Sequence, residues 1–253
     1  SGEFRKIITQ EEVDWLKDFL GWEPVLKDKD SLFLFGDARN ANLDFIPDEY
    51  EWFLWLDSDD VLRNGSLLHE IGATANLNQA EAVFFNYLYQ TIIEDNQIKQ
   101  ILIQHLRERM VRIDGEYRKI FRWFGSLHET LIQQRETKKI EDARVDVLHL
   151  SSQEVIVKNH DRNLKTLEME VLRTKGTDPR PIYYLAKAYY DFHTPEQLQK
   201  TKKLMLMYLS PKNHERNMSG WREERCQAWE YLAEIYREEG EHNNSVKCLH
   251  NAL

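Results

Sequence analysis

The clearest chemistry in the sequence lies at Asp57-Ser58-Asp59-Asp60, directly after the apolar run 51–56 (EWFLWL). Carboxylates two positions apart in extended backbone point the same way, so Asp57 and Asp59 can reach one ion. Hard divalent cations favour such oxygen ligands. Mg²⁺ or Mn²⁺ can bridge them to a diphosphate and neutralise charge on a departing phosphate. The same residues also suit a solvated acidic turn capping the next helix. His128-Glu129, within 124–129 (FGSLHE), offers a further metal ligand and a carboxylate general base; an exposed loop would carry the same pair. His149, in VDVLHL, reads as a core histidine more readily than as a ligand. Arg39, in Ala38-Arg39-Asn40, can pair with the carboxylates or with a phosphate, while Asn40 fixes a loop. Arg109 and Arg112, in RMVR, alternate as the wet face of a strand does. The chain has no glycine-rich phosphate loop, CxxC pair or GxSxG elbow, which removes support for P-loop, zinc-ribbon and α/β-hydrolase chemistry.

These residues need a scaffold, and the hydrophobic pattern supplies one. A helix is predicted over 10–20, stopped by Gly21, with an edge-like extended piece at 22–26 weakened by Pro24. A short strand over 32–35 ends at Gly36, and a helix over 37–45 starts on Asp37 and closes before Pro47. The run 51–56 is nearly unbroken in apolar character, as a strand buried on both faces of a parallel sheet requires. Ligands of such sheets sit outside the carboxyl ends of the strands, where Asp57 falls. Residues 66–77 read as a helix and 81–93 as a strand ending in the turn 94–96. Strands are predicted at 98–103, 108–113, 121–124 and 145–150, with a tight turn at Asp114-Gly115. From Lys158 the pattern is helical. Ile182, Leu185, Ala186 and Tyr189 recur as Trp229, Leu232, Ala233 and Tyr236 at a constant offset, each followed by a second helix, with an insertion at 211–224. Such spacing resembles a tetratricopeptide repeat.

Composition sets the outer bounds. Apolar residues are 42% and aromatics 11% of 253 residues, enough for a real core. No apolar run approaches the length of a membrane span. A net charge of −9 disfavours general polyanion binding. Two cysteines and no hydrophobic leader point to a reducing, cytoplasmic setting. Residues 1–157 hold 18 Lys+Arg against 29 Asp+Glu, whereas 158–253 hold 16 against 14, which sets a boundary near 150–160.

In this order, ARN, a strand ending in DSDD, RMVR, FGSLHE and VLHL resemble the family 2 glycosyltransferases of the GT-A fold. More narrowly, they resemble the branch with tetratricopeptide-type helices behind the catalytic domain, and 158–170 resembles the joining helix. The likeness spans about residues 20–253. It implies an α/β chain: a GT-A-like mixed-sheet domain over 1–157 and an all-α tetratricopeptide-like module over 158–253. The family's opening donor-binding strands have no counterpart before Trp22, so the first domain is expected to be N-terminally incomplete. The implied activity is inverting transfer of a sugar from a nucleotide-diphosphate donor, assisted by Mn²⁺ or Mg²⁺. Asp57 and Asp59 match the metal and diphosphate motif, with Asp60 and Arg39 beside the donor. His128 and Glu129 match the HE pair near the acceptor, His128 as a further metal ligand and one of the two as base. The expected partners are the donor, an acceptor such as a protein or peptide, and a protein held by the helical repeats. Two other readings stay open: a non-catalytic scaffold that works through its repeats, and a nucleotidyltransferase, which uses the same carboxylate chemistry.

Overall fold

The computed structural model describes residues 4–95, 97–125, 129–150, 160–210 and 222–253. Its elements are β1 (Arg5–Ile7), α1 (Gln10–Leu20), β2 (Ser31–Phe33), α2 (Phe35–Phe45), β3 (Trp52–Leu54), β4 (Asp60–Arg63), α3 (Leu68–Leu77), β5 (Ala82–Glu94), β6 (Gln97–Arg112), β7 (Phe121–Phe124), β8 (Thr130–Gln133), β9 (Lys139–His149), α4 (His160–Arg173), α5 (Pro179–Tyr190), α6 (Pro195–Tyr208), α7 (Arg222–Glu238) and α8 (His242–Ala252). The chain is therefore mixed α/β, with a five-stranded mixed sheet and eight helices among the described residues. None of these helices is long and apolar enough to cross a membrane.

Two compact units result: Phe35–Val157, and a second unit that joins Ser1–Leu34 to Lys158–Leu253. The first 34 residues thus leave the domain that the sequence assigned to 1–157. The reason lies in α1 and the segment after it. Thr9 and Glu12 form a capping box, Val13, Leu16 and Leu20 are buried, and Gly21 ends the helix at φ 81°. The buried face of α1 packs on α4. Residues 22–26 form no strand. Instead the Val25 and Leu26 N–H groups donate to the Glu168 carboxylate of α4 at 3.0 and 2.7 Å, and the Tyr189 hydroxyl of α5 donates to it at 3.0 Å. Glu168 has no exposed surface, so these donors replace the water it has lost.

The later helices pair as the repeat spacing predicts, α5 with α6 and α7 with α8. Leu185, Ala186, Leu232 and Ala233 are all buried. In each pair a hydroxyl of the second helix donates to the alanine carbonyl of the first: Thr201 to Ala186 at 3.1 Å, and Ser245 to Ala233 at 2.7 Å. Of the expected insertion at 211–224, residues 211–221 lie outside the described residues, and Arg222–Glu224 begin α7.

The sheet runs in the order β3-β6-β5-β9-β4, with every neighbour antiparallel except β5 and β9. EWFLWL is therefore an edge strand, antiparallel to its neighbour, and its apolar character has the expected cause, since both faces of the sheet are covered. Trp52 and Leu54 join the cluster of α3, with Ile71, Val83 and Phe85. Phe53 and Trp55 join the opposite cluster, with Leu43 of α2 and Phe121 and Trp123 of β7. Three other expectations change. The strands expected at 98–103 and 108–113 are one strand, β6. Asp114 precedes a 3-10 turn over Gly115–Lys119 instead of a hairpin turn. Helix α2 starts at Phe35, so Gly36 sits inside its first turn, where a Cβ would run into the Gly125 carbonyl.

Candidate active site

Consecutive strands β3 and β4 lie on opposite edges of the sheet. Four strand spacings, about 19 Å, are bridged by residues 55–59. This link passes over β6, β5 and β9 and hangs its carboxylates above them. Asp60 N–H donates to the Asp57 carbonyl at 3.0 Å, and Asp57 N–H donates to the Asp60 carboxylate at 3.1 Å, so the tetrad closes on itself as a turn.

Asp60 is the hub of this turn. One oxygen accepts the Tyr87 hydroxyl at 3.2 Å and lies 3.1 Å from His149 Nδ1, while the other lies 3.1 Å from Arg109. Its side chain has no exposed surface, and that of Arg109 is 7% exposed. A buried pair of this kind holds only when the spare lone pairs and protons are met, as they are here. Asp57 is half-buried and takes Arg39 at 2.5 Å and Arg109 at 3.6 Å. Burial alone would raise its pKa, but the two guanidinium groups outweigh that and hold the carboxyl below its ordinary value. Tyr87 is pushed the other way, upward, first by burial and then by the charge of Asp60, so it remains a donor.

The arginines in turn lie against aromatic rings. Arg39 lies 4.8 Å from the Trp123 ring and 3.8 Å from Glu129. Arg109 lies 4.5 Å from the Tyr87 ring. Asn40 exchanges two hydrogen bonds with the Trp123 backbone, at 2.9 and 2.8 Å, which ties α2 to β7. Arg109 and Tyr89 have no partner in the β5–β6 register, each being the extra residue of a bulge. Bulges redirect side chains. Here one turns Arg109 toward Asp57 and Asp60, and the other stacks Tyr89 on His149 at 5.4 Å.

A cavity of about 130 Å³ opens among Arg39, Trp55, Asp57, Arg109, Trp123 and Glu129, with Tyr87, Tyr89, Arg107 and Glu108 completing it. The structure thus brings together Arg39, Asp57 and Glu129 of the expected residues. It buries Asp60 beneath them and leaves Asp59 half-exposed, 3.8 Å from His149. His128 lies outside the described residues. Among the described residues, the group of three spaced to hold a metal is Asp59, Asp60 and His149, and Asp57 is not part of it. Two oxygens and an imidazole suit Mn²⁺ or Mg²⁺ with water completing the shell, so the donor set fits although its membership differs from the sequence expectation. Sequence reasoning read Arg109 as the wet face of a strand, whereas it is buried, read His149 as a core histidine more readily than as a ligand, and did not single out Tyr87. The only local signal was the close spacing of Tyr87 and Tyr89 within one strand. The chain matches no protein-family model, and no curated protein matches it significantly.

Proposed function

We propose that the sheet unit is a metal-dependent inverting glycosyltransferase acting on a nucleotide-diphosphate sugar, in keeping with its resemblance to the family 2 enzymes. The observation carrying this reading is a cavity walled by arginine, aromatic and carboxylate side chains, two of whose lining residues touch the Asp59–Asp60–His149 group: Tyr87 bonds Asp60 and Tyr89 stacks on His149. About 130 Å³ is well below the roughly 300–1,000 Å³ of sites that enclose whole ligands. It suits one sugar ring or phosphate rather than an entire donor. Asp59, Asp60 and His149 would hold Mn²⁺ or Mg²⁺, whose chemistry is to neutralise the outgoing diphosphate. Arg39, held against the Trp123 ring, is the cation for a donor phosphate. Trp55, Trp123 and Tyr89 offer apolar faces to a sugar. Glu129 is placed to accept a proton from an acceptor hydroxyl. In the second unit, a cavity of about 600 Å³ lined by Tyr183, Tyr184, Glu224 and Gln227 supports docking of a protein or peptide there, either as the acceptor or, in a scaffold, as the sole ligand.

Calorimetry with UDP-, GDP- and TDP-sugars tests the catalytic reading. Binding of one donor is expected to require Mn²⁺ and to disappear in Asp59→Ala, with nucleoside diphosphate as the released product. Metal-independent binding untouched by that substitution would overturn it, and release of pyrophosphate would indicate nucleotidyl transfer.

A further inference from the structure

Beyond Leu88 the β5–β6 hairpin leaves the sheet. Strand β9 pairs with β5 only as far as Leu88, and β3 pairs with β6 over Met110–Arg112, with one further bond from Trp55 N–H to the Arg109 carbonyl. Residues 89–94 and 97–103 therefore form a two-stranded ribbon, about 20 Å long at ~3.4 Å per residue. Among the described residues neither outer edge has a strand partner. Ile92, Ile93, Ile101, Leu102 and Ile103 on this ribbon, and Leu106 further along β6, are each 39% to 47% exposed. A lone ribbon is marginal in water, and a long apolar edge recruits strands.

The edge of β6 is complementary to itself. Residues 97–107 read QIKQILIQHLR, nearly the same in both directions about Leu102: Ile101 mirrors Ile103, Gln100 mirrors Gln104, and Ile98 mirrors Leu106. Leu102 and Lys99 are bulge residues in the pairing with β5, and antiparallel pairing with the same edge of a second copy, about a two-fold axis at the Leu102 bulge, sets apolar residues opposite apolar ones and glutamine opposite glutamine. The charges agree. Gln97 falls opposite Arg107 of the second copy, on the face that also carries Glu94, the hairpin partner of Gln97. Lys99 falls opposite His105, whose pKa is pushed down by burial and by Arg107 and Arg109, so that ring is neutral near pH 7. The exposed apolar surface is on the order of 500 Å² per copy, against about 800 Å² per partner in a standard stable interface; the glutamines and the backbone edge make up the difference.

We propose that the chain forms a two-fold dimer by pairing residues 97–107 of β6 antiparallel with the same residues of a second copy. Sedimentation velocity of the full chain over a concentration series tests this. The wild type is expected to dimerise, and Leu102→Lys or Leu102→Glu alone should weaken dimerisation about a hundredfold, because like charges then meet at the axis. Mixing the two variants should restore a heterodimer, which also shows that both remain folded. A monomeric wild type would overturn the proposal, as would a dimer indifferent to Leu102→Lys. A monomer that floats with phosphatidylserine vesicles would likewise overturn it and assign the ribbon to lipid.

Discussion

Asp57 and Asp60 are three positions apart in one acidic turn, yet their surroundings assign them different work. Asp60 is sealed under the turn, in contact with Arg109, Tyr87 and His149. Asp57 reaches the cavity and is held ionised by Arg39 and Arg109 despite its partial burial. A carboxyl depressed in the native state adds stability that is fully present above its unfolded pKa and is lost as pH falls through the native one. Urea unfolding monitored from pH 7 downward should therefore show the wild type losing more stability below about pH 4 than Asp57→Asn does, the remaining loss coming from other depressed carboxyls such as Asp114 and Asp142. Identical pH profiles for the two proteins would show that the arginines do not favour the ionised form. The Arg39–Asp57 pair was open to sequence reading, but the part played by Arg109 was not. Arg109 meets Asp57 and Asp60 across about fifty residues of sequence, and only the strand register and a bulge reveal it.

Elements with local signals were legible, and those defined by distant neighbours were not. Helix α1 carries its own start and stop in Thr9, Glu12 and Gly21. The strand at 51–56 was legible as a strand but not as an edge. Its apolar residues alternate between two covered faces, which reads the same as a strand buried in the middle of a sheet. β6 was divided in two because its exposed half has no inward face to impose alternation. The segment 22–26 was misjudged because its partner, Glu168, is remote. Glutamine at that position turns an amide toward a backbone N–H, leaving a buried donor unpaired. Glu168→Gln should accordingly cost about 1–3 kcal/mol, measured as a lower urea midpoint at unchanged slope. A loss under about 0.5 kcal/mol, ordinary for surface sites, would remove Glu168 from its anchoring role.

At the scale of the whole chain, the boundary near 157 was readable from the change in charge and periodicity, whereas the one near 34 was not. Nothing in the composition of residues 1–34 separates them from residues 35–157; only their packing on α4 does. Deleting residues 1–34 should speed amide exchange in α4 and α5, because Glu168 then keeps Tyr189 alone among its three donors. Exchange in β5 and β9 is expected to stay as it is, since both belong to the other unit. Equal acceleration in the two units would show that they unfold as one.

The same interrupted arrangement sets an order for biosynthesis. Val25 and Leu26 leave the ribosome ahead of the carboxylate that will hold them, separated from it by 143 and 142 positions. At about 5–20 residues per second that is a wait of roughly 7–30 seconds. During this interval the intervening 35–157 segment has emerged and can close its own sheet, while the leading segment stands unclaimed. The apolar stripe of Val13, Leu16 and Leu20 is then open to chaperones and proteases until α4 emerges to cover it.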